Sequence, residues 1–219
     1  MNKIELRQVF TPSFIVNKMI SLIGIKEPSL ILETSSGSGN FYFPLKEKYK
    51  NVIGIEIDES IAHKGAINKS YFETNYKPDV IIGNPPYVDF KNIISKPKSD
   101  KLIHKPNLYL FFLEKALSDL KDNGELIWIV PAAVFTTSSS KMLNEIIYNS
   151  FSITYFELMK ENVWDDAAVP TAIIKIIKTI NHKDKLDYFL SNGKIIFGKK
   201  PNFDQNIVVK VGGASGVNN

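Results

Sequence analysis

Leu30-Ile31-Leu32-Glu33 passes without interval into Thr34-Ser35-Ser36-Gly37-Ser38-Gly39-Asn40. This junction constrains the fold more than any other feature of the chain. A short apolar run bounded by turn residues is a buried strand. Gly37 and Gly39 let the backbone of the turn approach a ligand closely. An aromatic stretch, Phe41-Tyr42-Phe43, then runs to Pro44. Strand, glycine turn and helix form the first unit of a doubly wound α/β sheet. Val52-Ile53-Gly54-Ile55-Glu56-Ile57-Asp58 supplies a second strand and ends in acid. A carboxylate about 20 residues beyond the glycine turn is where ribose hydroxyls are held. Glu56 lies nearer the end of the apolar run and is the candidate ribose ligand. Asp58 is read as the cap of a helix over Glu59 to Gly65. Glu33, at the end of the first strand, is placed to hold an ammonium group.

A unit of this kind binds nucleoside-bearing cofactors, NAD among them. The third glycine of the dinucleotide pattern would fall at Tyr42, and a second phosphate cradle is not visible. The unit therefore suits a nucleoside without a pyrophosphate, and S-adenosylmethionine is one. A lone G-x-G pair also occurs in ordinary tight turns.

Asp79-Val80-Ile81-Ile82-Gly83 reads as another buried strand, and Asn84-Pro85-Pro86-Tyr87 follows it. The carboxyl ends of strands are where open α/β sheets bind ligands. The prolines hold φ near one value and remove two backbone donors. The result is a stiff loop with free carbonyl acceptors. Asn84 adds a side-chain carbonyl, and Tyr87 adds an aromatic face. That set suits a planar substrate with an exocyclic amine. Two acceptors drawing the nitrogen toward tetrahedral geometry would expose a lone pair otherwise delocalised into the ring, which is stabilisation aimed at the transition state. The alternative is a Pro-Pro turn with Asn84 as turn residue.

Upstream, Thr11 is read as the cap of a helix that begins at Pro12 and ends at Gly24, with Phe14, Ile15, Met19, Ile20, Leu22 and Ile23 at helical spacing. Ile67 to Phe72 is a weak third strand. Phe90 to Pro106 carries Lys91, Lys96, Lys98, Lys101 and Lys105 and reads as a long basic loop, either a phosphate contact or a solvated surface. Asn107 to Leu120 and Ser139 to Ser150 are helices. Glu125 to Val130 is a central strand, and Ile153 to Leu158 and Thr171 to Ile177 are two adjacent strands. The loop between that pair holds Trp164, read either as packing or as a second aromatic wall opposite Tyr87. Strand-like pieces recur at Tyr188 to Leu190 and Ile195 to Phe197, before a glycine-rich turn, Gly212-Gly213-Ala214-Ser215-Gly216.

Composition removes several classes. The 219 residues suffice for one sizeable domain, and the chain has no cysteine and three histidines, far apart, so thiolate chemistry is excluded and no metal site is expected. A net charge of +4 permits nucleic-acid binding. The longest apolar run, Leu126 to Phe135, is too short for a bilayer, and the start lacks a signal pattern, so a cytoplasmic protein with no membrane partner is expected.

Taken in order, these motifs resemble the DNA adenine-N6 methyltransferases of restriction–modification systems whose cofactor region comes first. The resemblance covers nearly all of residues 7–177. It rests on Phe10-Thr11-Pro12, Leu32-Glu33 through Gly39, Ile55-Glu56-Ile57-Asp58, Asn84-Pro85-Pro86-Tyr87, Asn107-Leu108-Tyr109, and Trp164 through Lys175. It implies a Rossmann-like, S-adenosylmethionine-dependent α/β fold with a mostly parallel seven-stranded sheet and an antiparallel edge hairpin. It implies that Asn84, Pro85, Pro86 and Tyr87 are catalytic, and that Tyr87 and Trp164 stack on the target base. It assigns cofactor binding to Thr11, Glu33, Ser35, Gly37, Gly39, Glu56, Ile57, Tyr71 and Asn84. Thr34 stands where the family usually has proline. The Asp-Phe pair expected after the third strand is replaced by Ser70-Tyr71 or Tyr71-Phe72, without the aspartate. The implied partners are double-stranded DNA and a recognition domain or subunit supplied separately. The expected layout is a catalytic domain over 1–180 and an extension over 181–219 that leads toward that domain. An RNA or protein-glutamine methyltransferase, or an inactive truncated remnant, are the alternative readings.

Overall fold

Four of the apolar runs pair side by side as parallel strands in a computed structural model that describes residues 11–159 and 169–200. Phe10, Trp164 and the glycine-rich turn near the end of the chain lie outside the described residues. The strands are β1 (Ile31–Glu33), β2 (Val52–Glu56), β3 (Ile67–Asn68), β4 (Val80–Gly83), β5 (Glu125–Pro131), β6 (Ser152–Leu158) and β7 (Thr171–Ile177). They form one sheet in the order β3-β2-β1-β4-β5-β7-β6, with β7 antiparallel to both neighbours. The expected seven-stranded, mostly parallel sheet with an antiparallel pair at its edge is therefore present.

Strands covered on both faces read as unbroken apolar runs, and β5 is buried at every position. Successive side chains of a strand point to opposite faces. Leu126, Trp128 and Val130 pack with α3 (Leu108–Asp119) and α4 (Lys141–Ser150). Ile127 and Ile129 pack with α1 (Ser13–Ser21) and α2 (Tyr42–Lys48). Three layers result, and each fully buried Leu, Ile or Val contributes about 1.5–3 kcal/mol.

Local details depart from the sequence reading. Helix α1 begins at Ser13, one residue after the expected start. Pro12 is extended, with ψ of 144°, and is itself the N-cap. Its carbonyl accepts from Ile15 and Val16 N–H, so Thr11 caps nothing. The helix stops at Ser21, before Gly24. The Gly24 N–H donates instead to Glu125 Oε2 at 2.9 Å. Phe14 lies off the buried stripe and is 64% exposed. No helix forms over 59–65. The Asp58 carboxylate accepts from both the N–H and the hydroxyl of Ser60, a local turn that competes with the helix. The third strand is only two residues long. Ser70 Oγ accepts from Phe72 N–H and starts a 3₁₀ turn over Tyr71–Glu73.

After β7 comes a separate hairpin, β8 (Tyr188–Ser191) and β9 (Lys194–Phe197). Asn192 and Gly193 turn it with φ of 47° and 72°, the backbone that Asn-Gly favours between antiparallel strands. Asn144 Nδ2 of α4 donates to the Gly193 carbonyl at 2.8 Å and holds the hairpin on the core. Among the described residues no helix is long and apolar enough to cross a membrane.

The strand order reverses between β1 and β4. Strands run outward on one side through β2 to β3 and on the other through β5. The crevice outside the carboxyl ends at such a switch point is the expected ligand position.

Candidate functional site

A cavity of about 880 Å³ opens at that crevice. Of the residues singled out from the sequence, Thr11, Glu33, Ser35, Gly37, Glu56, Ile57, Tyr71, Asn84, Pro85, Pro86 and Tyr87 line it. Gly39 is not among the lining residues. It takes φ of +92°, and a Cβ there would lie 2.6 Å from Phe43 Cε2, so it is required by the turn closing onto α2.

The glycine turn is tied to the end of β2 by Glu56. Its carboxylate accepts from Gly37 N–H at 2.8 Å and from Asp58 N–H at 2.9 Å. Ser36 N–H donates to the Ile55 carbonyl at 2.8 Å, and His63 N–H to the Gly37 carbonyl. Each carboxylate oxygen thus keeps an unused lone pair at the cavity, in place to accept from vicinal hydroxyls. The His63 ring stacks on Tyr42 with centroids 4.0 Å apart, a packing role. Among the described residues no cluster of acids and histidines could hold a metal ion.

Among the described residues Glu33 is the one carboxylate with a buried, unpartnered oxygen. It is 2% exposed, and its Oε2 has no hydrogen-bond partner. Burial, and secondarily the Glu56 carboxylate beside it, push its pKa well above the ordinary carboxylate range, against the opposing backbone N–H of Tyr42. Desolvation disfavours the charged form, and a cation brought into the cavity would restore it.

The Asn84 tetrad leaves β4 through Gly83, which has φ of +148° and whose Cβ position lies 3.5 Å from Glu33 Cγ. Ser35 Oγ donates to the Asn84 backbone carbonyl at 3.1 Å and links the two loops across the switch point. Asn84 Oδ1 is buried without a partner, as is the Tyr87 hydroxyl. Tyr87 packs edge-on against Tyr109, with centroids 5.8 Å apart. Burial holds the Tyr87 phenol well above its usual range and pushes Tyr109 up to about 12.

Tyr71 lines the cavity but is anchored in the core. Its hydroxyl donates to Asp119 at 2.8 Å, and the Lys115 ammonium sits 4.9 Å from its ring centroid. The neighbouring Phe72 is half-buried, meets Phe112 edge-on, and lines the same cavity. Ile57, 61% exposed, is another apolar lining residue. Sequence reasoning passed over Phe72 as a candidate wall in favour of Tyr71, and the choice between adjacent aromatics depends on which one finds a buried partner. It also missed Ser36, buried with an unpartnered hydroxyl. The basic loop contributes Asn92, Ile93, Ile94, Ser95 and Pro97 to the cavity lining.

Residues 22–164 match the family model described as Eco57I restriction-modification methylase. Over 193 residues the chain is 37% identical to the Type II methyltransferase M.HincII of Haemophilus influenzae, covering 82% of this chain and 38% of that relative. The chain thus spans well under half the length of this curated relative. Among solved structures, a modification subunit of a putative type I restriction enzyme from Vibrio vulnificus YJ016 superimposes with a TM-score of 0.65 at 13% identity, covering 78% of this chain and 45% of that one. A putative class I S-adenosylmethionine-dependent methyltransferase from Listeria monocytogenes superimposes with a TM-score of 0.61 at 18% identity, covering 83% and 64%. At these identities the two structures speak for the fold alone.

Proposed function

This chain belongs to the Eco57I restriction-modification methylase family, and we propose that it binds S-adenosylmethionine and methylates N6 of an adenine extruded from double-stranded DNA. The observation that carries this reading is one cavity lined by four buried polar atoms without partners, the hydroxyls of Ser36 and Tyr87 and two carbonyl-type acceptors, Glu33 Oε2 and Asn84 Oδ1. Buried polar atoms are almost always paired, so each of the two acceptors marks a position for a donor from outside the chain.

The residues fit the cofactor. Glu33 takes its ammonium group, Glu56 the ribose hydroxyls, and Ile57 with Phe72 the adenine. Bound there, S-adenosylmethionine supplies an electrophilic methyl group on its sulfonium. Asn84 Oδ1 and the Pro85 carbonyl accept the two N–H protons of the target amine and hold the nitrogen lone pair toward that methyl. Tyr87 stacks on the base. Extrusion costs about a few kcal/mol, and an aromatic contact returns about 1–3 kcal/mol per base. Trp164, outside the described residues, is the proposed second wall. Once the nitrogen is cationic its acidic proton passes to solvent water, so positioning and two acceptors suffice without a strong base. Residues 1–180 are taken as the catalytic domain, with the 188–197 hairpin packed on the same core, and the target sequence is read by a recognition domain or subunit.

Asn84→Ala tests the assignment. Turnover of tritiated S-adenosylmethionine onto unmethylated DNA should fall about 10²–10³-fold, as for loss of one preorganised group at a developing charge. Cofactor affinity by calorimetry should be nearly unchanged. Equal loss of both would remove Asn84 from the chemistry.

A further inference from the structure

We propose that Ile94 is a wedge that enters the base stack of the DNA and fills the space left by the extruded adenine; this rests on the DNA reading above. Ile94 is 84% exposed, the most exposed large apolar side chain among the described residues. Single exposed apolar residues are ordinary, so exposure alone decides nothing. Position and surroundings set this one apart. Ile94 lines the mouth of the same cavity that holds Asn84 and Tyr87. Its neighbour Ile93 is 6% exposed and anchors the loop. Lys96 Nζ donates to the Ile93 carbonyl at 3.0 Å and sits 5.2 Å from the Phe90 ring centroid, which braces the tip. The apolar side chain is thus held outward on a supported turn.

The charge around it fits a polyanion. Residues 88–106 carry five lysines against two aspartates. Lys91 and Lys98, on either side of Ile94, make no ion pair among the described residues. Cations flanking an apolar tip can neutralise phosphates while the tip enters between bases, the arrangement by which proteins unstack a duplex. Extrusion into the cavity leaves a gap of one base. An isoleucine at the cavity mouth is placed to enter that gap, and the burial it gains favours the open state over return of the base.

The chain has no cysteine, so Ile94→Cys creates a unique site for a bimane label. Ile180→Cys is the control. Ile180 is 55% exposed and follows β7, whose end pairs with the start of β5, so it lies toward the end of the sheet away from the carboxyl ends of the parallel strands. The labelled 219-residue chain is titrated with A·T-rich duplex carrying a single-base gap, with S-adenosylmethionine present, and binding is followed separately by anisotropy of a dye on the DNA. The bimane at 94 should shift to the blue and lose most of its quenching by iodide, while that at 180 is unchanged. Ile94→Ala should bind the gapped duplex about tenfold more weakly, equal to about 1.4 kcal/mol, and Ile94→Phe should retain binding. Binding with the probe still open to iodide, and with Ile94→Ala unaffected, overturns the wedge and leaves the proposed function standing. Absence of binding to the gapped duplex by the unsubstituted chain overturns the wedge, whereas the proposed function, whose target is read by a recognition domain or subunit, stands or falls on methyl transfer and the Asn84→Ala comparison.

Discussion

Replacing Glu33 by glutamine should stabilise the free protein and cripple cofactor binding. The carboxyl is 2% exposed with Oε2 unpartnered, and Glu56 lies beside it. Its pKa in the folded state is raised well above its ordinary value. A raised carboxyl means that the folded state binds more protons than the unfolded one. Stability from this group is therefore full below the unfolded pKa of about 4.3 and is lost as pH rises toward the folded value. Glutamine abolishes that slope, and its amide can donate to Glu56. A buried unsatisfied group costs about 1–3 kcal/mol. At neutral pH the substitution should therefore raise Tm by about 2–12 °C for a domain of this size. Binding should move the other way. Loss of a charge-assisted contact to the cofactor ammonium, about 1.5–3 kcal/mol, weakens affinity roughly 10–150-fold. The parent should also release protons on binding, because a cation lowers the Glu33 pKa. Calorimetry in buffers of different ionisation enthalpy reads that release, and thermal unfolding from acid to mildly alkaline pH reads the slope. A Glu33→Gln chain with unchanged pH dependence of Tm and undiminished cofactor affinity would refute the assignment.

Three other substitutions separate structure from ligand contact. Glu56→Ala removes both backbone contacts that hold the glycine turn, so cofactor binding should vanish in calorimetric titration, with about 2–3 kcal/mol of stability lost in urea unfolding. Tyr71→Phe deletes a hydrogen bond to Asp119, which keeps its 3.0 Å contact with Lys115. It should cost about 1–2 kcal/mol with cofactor affinity unchanged. Phe72→Ala should instead weaken cofactor binding more than it lowers turnover at saturation, and the reverse pattern for the pair would return the wall to Tyr71.

The sheet was legible because its strands are buried on both faces. Such strands appear as unbroken apolar runs, and β1, β2, β4 and β5 each fall within one or two residues of the run that announced them. The ends of those strands were legible for the same reason, since a polar residue closing an apolar run is conspicuous, and this exposed Glu33, Glu56 and Asn84. Elements decided by a single local contact were not legible. Asp58 has the side chain of a helix cap, but its carboxylate closes on Ser60 and the chain turns away. Pro12 carries the cap expected at Thr11 because ψ, unlike φ, is free in proline. Tyr71 and Phe72 are equivalent in sequence, and only the distant Asp119 decides which of them is core. The linkage between the loops, Ser35 to the Asn84 carbonyl, joins residues 49 positions apart and has no sequence signal.

That linkage bears on how the site works. Natural domains are stable by only about 5–15 kcal/mol. Unpaired Glu33 Oε2 and Asn84 Oδ1 each forfeit about 1–3 kcal/mol of it. The cost is tolerable because the framework around them is over-determined: Glu56 holds the glycine turn at two backbone N–H groups, and Ser35 holds the tetrad. The acceptors therefore do not relax toward partners within the chain. Glu33 and Asn84 also share a wall, since a Cβ at Gly83 would stand 3.5 Å from Glu33 Cγ, at a φ of +148° that L side chains rarely adopt. A ligand that pairs Glu33 removes the like-charge strain beside the strand end from which Asn84 projects. Under the proposed roles of Glu33 and Asn84, cofactor binding and placement of the amine acceptor are mechanically adjacent, and a side chain at position 83 should disturb both. Preorganisation here is visible as polar atoms kept unsatisfied by a scaffold that has no freedom to satisfy them.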